Sequence, residues 1–134
     1  MSYPLGAHFG GQAILLGYDL HLSRTGEGGT VRLTLCWQAQ REMTTAYQVF
    51  VHALDVTGQI VSQVDREPGS GETPTTGWLA GEVIVDEIEI SVSENITTVQ
   101  SIAVGLYDPL TGKRVPVLNS EGLPASDYVK LPAP

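Results

Sequence analysis

The stretch VSQVDREPGSGETPTTGWLAGE, residues 61 to 82, gathers the side chains that carbohydrate recognition uses. An aromatic face can stack on the CH patch of a sugar ring, while Asp, Gln and Arg take its hydroxyls in pairs. Gln63, Asp65, Arg66 and Trp78 supply those types in order, which makes them the candidate ligand-binding residues. The same indole has a structural use. A tryptophan that follows Gly, Pro and Thr and precedes LAGE can seal the open end of a β-domain, with its NH bonded to loop backbone. The sequence leaves both uses of Trp78 open.

Catalytic chemistry has little to build on. A nucleophile needs an adjacent base, and no G-x-S-x-G elbow is present; GSG at 69 to 71 is loop composition. His8, His21 and His52 form no H-x-x-x-H or H-x-H pair, so no metal site is expected. Loop carboxylates could ligate calcium, yet no D-x-D-x-D series arranges them. Fifteen acidic residues offer too many pairs for any one to suggest glycoside hydrolysis. The single cysteine, Cys36, allows no internal disulfide and is expected to pack between its strand neighbours. No catalytic residue, metal or cofactor is therefore assigned.

Charge narrows the partners. A net charge of −8 with seven scattered Lys and Arg disfavours nucleic acid and anionic lipid, whose binding depends on neutralising phosphate. No apolar run reaches the roughly eighteen residues that span a bilayer, so no lipid insertion by this chain is expected. The N-terminal MSYPLGAHFGG has no basic region leading into an apolar one.

Strand-like runs bounded by turn residues recur where a helical period would otherwise show. They fall at 12 to 22, 30 to 39, 46 to 55, 59 to 65, 82 to 92, 99 to 107, 113 to 118 and 127 to 131. About eight strands without helices predict an all-β antiparallel sandwich, jelly-roll or immunoglobulin-like, as one domain over 1 to 134. Residues 1 to 11 and 119 to 134 are expected to be less regular. VHALDVTGQIV and VGLYDPLTGKRV each place an Asp and then Thr-Gly between strands, which reads as two hairpins closed at Gly58 and Gly112. The connection of about fifteen residues between 66 and 82 is long for a hairpin and suits a crossing between sheets.

Period-two alternation then assigns faces. Ile84, Ile88, Ile90 and Val92 share one face with Asp86, so an acid sits in an apolar row. A buried carboxylate needs a cation or several NH donors. His52, on the second face of a strand apolar on both sides, is a candidate buried polar partner for it; Arg66 and Arg114 also qualify. Trp37 is expected in the core, and Tyr107 is expected to act as a corner tyrosine bonded to backbone.

In order, the motifs LLGYDL, LTLCWQA, YQVFVHALDVTGQIVSQVDREP, TPTTGWLAGEVIVDEIEI and VGLYDPLTGKRVPV cover residues 13 to 118. As a set they resemble the C-terminal β-sandwich domain of bacterial multi-pass membrane glycosyltransferases of the protein-mannosyltransferase type. The resemblance implies a fragment of a larger protein, placed on the extracytoplasmic face of the cell membrane. It further implies that any transferase chemistry lies in the membrane part, and that the partner is a glycan or that same membrane-embedded part. Gln63, Asp65, Pro68, Thr75, Trp78 and Asp86 match positions of the pattern without an assigned role, while Cys36 and Ala53 depart from its usual Tyr and Leu.

Overall fold

The computed structural model describes residues 2 to 134, and ten strands run through them. They are β1 (Tyr3–Phe9), β2 (Ala13–Thr25), β3 (Gly28–Ala39), β4 (Gln48–Leu54), β5 (Ile60–Arg66), β6 (Val83–Val92), β7 (Ser101–Tyr107), β8 (Val117–Leu118), β9 (Pro124–Ser126) and β10 (Val129–Pro132). All pairings are antiparallel. One sheet has six strands in the order β6-β3-β2-β1-β8-β9, and the other has four in the order β10-β7-β4-β5. The molecule is a β-sandwich. Among the described residues no helix is long and apolar enough to cross a membrane.

Seven of these strands follow one Greek key. Lettered A to G in chain order, β2, β3, β4, β5, β6, β7 and β10 place A-B-E in one sheet and G-F-C-D in the other. That is the immunoglobulin-like arrangement with its fourth strand moved to the second sheet. β1, β8 and β9 extend the larger sheet beyond it, so the ends expected to be less regular carry strands. The predicted strand at 113 to 118 shrinks to Val117–Leu118 because Arg114 pairs instead with Tyr107 in an isolated bridge.

Alternation builds the core. Val31, Leu33, Leu35 and Trp37 of β3 face Val49, Val51 and Ala53 of β4 and Ile102, Val104 and Leu106 of β7, all buried. Each large apolar side chain so enclosed contributes roughly 1.5–3 kcal/mol. Phe9 meets Trp37 edge-on at 5.1 Å between ring centroids. The two TG hairpins form as expected: Asp55 Oδ1 accepts from the amides of Thr57 and Gln59, and Asp108 Oδ1 from that of Leu110.

β6 alternates without a fault, and Asp86 follows the buried register at zero exposure. Its partner is Arg66, from β5 in the other sheet. Arg66 Nη2 donates to Asp86 Oδ1 at 3.0 Å and to the Glu87 carbonyl at 2.7 Å, and the Gly69 amide donates to the same carboxylate oxygen at 2.9 Å. Ser62 Oγ donates to the Ser91 carbonyl nearby, so β5 and β6 are laced along one edge of the sandwich by side chains. His52 and Arg114 take no part in it.

Removing one member of a buried pair strands the other's charge. Arg66→Ala is therefore expected to lower the unfolding free energy by about 3 kcal/mol, whereas replacing both members, Arg66→Met with Asp86→Leu, recovers much of the loss. Urea denaturation of the two variants checks this; an Arg66→Ala protein as stable as the parent contradicts it.

Candidate functional site

The long connection crosses from β5 in one sheet to β6 in the other, over the open end of the sandwich. Three local contacts fix its path. It leaves β5 through Gly69, Ser70 and Gly71, all at positive φ, with the Gly69 amide held by Asp86. Midway, the buried Thr75 hydroxyl donates to the Thr45 carbonyl at 2.7 Å and accepts from the Tyr47 amide at 3.0 Å. At its far end the Gly81 amide donates to the Ala39 carbonyl and the Ala39 amide to the Glu82 carbonyl.

Trp78 lies beneath this path, 2 % exposed, with Nε1 donating to the Thr73 carbonyl at 2.9 Å and its ring 6.4 Å from that of Trp37. Of the two uses that the sequence leaves open for this indole, sealing the end of the sandwich is the one its burial fits, because neither face of the ring reaches solvent. Arg66 is corrected as a ligand contact for a related reason: its guanidinium is committed to Asp86 and to the Glu87 and Glu67 carbonyls. Gln63 and Asp65 point the other way, outward from the smaller sheet. The four candidates thus fall on two faces and form no single site.

Asp65 instead joins a group that the sequence scattered widely. On the outer face of the smaller sheet, Phe50 and His52 of β4 stand beside Asp65 of β5 and Tyr107 of β7, with Arg114 folded over from the 108 to 113 hairpin. The Arg114 guanidinium carbon sits 4.2 Å from the centre of the Phe50 ring, and Nη1 donates to Asp127 Oδ1 at 3.2 Å. Phe50 is only 2 % exposed on this outer face because its ring lies over Gly105, where a Cβ would stand 2.1 Å from it. Sequence reasoning singled out neither Phe50 nor Gln48 here.

The hydroxyl of Tyr107 donates to Gln48 Oε1 at 2.6 Å and faces Asp65 Oδ2 at 3.2 Å. It is not the backbone-bonded corner tyrosine that was expected. Burial, and then the Asp65 carboxylate, hold its phenol above the usual value, so it stays a protonated donor. His52, 15 % exposed, has Nε2 4.0 Å from Asp65 Oδ1, beyond hydrogen-bond distance. Burial outweighs that carboxylate and, with Arg114 adding to it, pulls the imidazole below its ordinary value. His52 is thus neutral at neutral pH.

Among the described residues no group of three or more His, Cys, Asp or Glu is arranged to hold a metal ion. Comparison with family models, with curated proteins and with solved structures returned no significant match.

Two outcomes test this geometry. A depressed His52 means that the unfolded chain binds the extra proton first, so its stabilising contribution is complete above the ordinary imidazole value of 6.5 and is lost as pH falls below it. His52→Gln should flatten the fall in melting temperature just below that pH, and an unchanged slope would count against the assignment. Gly105→Ala drives a methyl into the Phe50 ring and is expected to cost about 1–3 kcal/mol, with Gly105→Ala/Phe50→Ala less sensitive to the added methyl. Thermal melts of the single and double variants read the difference.

Proposed function

We propose that this chain is a noncatalytic accessory module that spaces or docks a larger protein, rather than one that grips sugar with its long loop. The burial of Trp78 carries this reading. An indole enclosed under the loop, with its NH already bonded to Thr73, is a closure for the end of the sandwich. Arg66 strengthens the case, since the other strongly polar group of the loop region is spent on holding the two sheets together.

The resemblance in the motifs supplies the setting: attachment to a membrane glycosyltransferase of the protein-mannosyltransferase type, on the extracytoplasmic face, with the membrane-embedded part as neighbour. In that setting a rigid sandwich with a sealed end transmits position without needing a ligand at that end.

Trp78→Ala is expected to lose about 3–5 kcal/mol of stability. In a Trp37→Phe background the remaining Trp78 should emit in the blue and resist acrylamide quenching. The milder Trp78→Phe should fold and keep whatever glycan binding the parent shows. A glycan signal that vanishes in Trp78→Phe while the melting temperature holds would overturn the reading.

A further inference from the structure

The outer face of the smaller sheet carries a depression of about 240 Å3 lined by Phe50, His52, Asp65, Tyr107, Gly112 and Arg114. Its polar groups are only partly used by one another. Among the described residues the Tyr107 hydroxyl stands 3.2 Å from Asp65 Oδ2 but gives its one proton to Gln48 at 2.6 Å, and Asp65 Oδ1 accepts no hydrogen bond. Arg114 spends Nη1 on Asp127, while among the described residues Nη2 and Nε make no hydrogen bond. The neutral His52 lies close enough to feel the charges of both Asp65 and Arg114, and it adds a nitrogen to the same hollow.

The balance of charge selects the ligand. Within the lining the Asp65 carboxylate balances the Arg114 guanidinium, which Asp127 already pairs with from beside it, so no excess positive charge is left to favour phosphate or carboxylate ligands. A metal ion would meet the Arg114 cation on entry. A neutral molecule that donates at one atom and accepts at the next fits both: one hydroxyl gives its proton to Asp65, and its neighbour accepts from the Arg114 fork.

We propose that this depression binds a single neutral sugar ring through adjacent hydroxyls bridging Asp65 and Arg114, with His52 as a third contact. The volume suits one ring rather than a chain. The site is distinct from the loop and from Trp78, and it goes beyond the spacing role without depending on it.

Titration of the 15N-labelled chain with glucose, mannose and galactose, each taken to about 100 mM, tests the proposal at the weak affinities that few contacts allow. The expected result is amide shifts confined to residues 48 to 52, 63 to 66 and 105 to 114 with at least one sugar. Asp65→Asn and Asp65→Ala, both at a half-exposed position, should weaken the binding by about tenfold or more with unchanged melting temperature, a difference of about 1.4 kcal/mol. Trp78→Phe should leave it in place, so failure here and failure of the docking role read differently. No saturable shift with any of the three sugars overturns the proposal, as does binding that both Asp65 variants retain.

Discussion

One ion pair decides how the two sheets meet. Asp86 occupies the only acidic position in the buried row of its strand, where an unpaired carboxylate would cost several kcal/mol. Arg66 answers it from the neighbouring sheet and, in the same gesture, takes the carbonyls of Glu87 and Glu67. With the Gly69 amide on the same carboxylate, the first turn of the long connection is aimed inward across the end of the sandwich. Thr75 and Trp78 then find their places under it, and the end of the core is closed.

Parity along β5 explains why the loop's polar residues part company. Neighbours on a strand face opposite sides, so Asp65 and Arg66 cannot converge on one ligand while the strand is intact. Arg66 turns inward to Asp86, and Asp65 turns outward to Tyr107 and His52. The outer cluster then assembles from four separate segments, brought together by pairing of β4 with both β5 and β7. Gly105 makes room for the Phe50 ring on which Arg114 rests.

How much of this could be read from residues alone varies with the physics involved. β3 and β6 were legible because each buries one face, and alternation then carries both boundary and orientation. The TG hairpins were legible through their Asp and Gly. β1 and β9 were not: their residues are mostly exposed, so little apolar pattern marks them, whereas the run at 127 to 131 anticipated β10 at Val129–Pro132. The burial of Asp86 followed from parity, but choosing Arg66 over His52 or Arg114 required knowing which strands lie at a shared edge. That is a property of topology, which periodicity does not contain. The direction of the Trp78 indole was open for the same reason, as was the hydroxyl of Tyr107, which meets side chains 59 and 42 residues away.

The lacing between β5 and β6 has a meaning for the molecule in a crowded solution. β6 is long, regular and terminal in its sheet, and it displays Val83 and Val85 half-exposed on its outer side. Such a strand invites a second chain to add itself by main-chain pairing, the first step toward fibrils. The guanidinium of Arg66 and the hydroxyl of Ser62 already occupy the carbonyls of Glu87 and Ser91 that an incoming strand would use. The contact that joins the sheets thereby also leaves an incoming strand two fewer free acceptors on this edge.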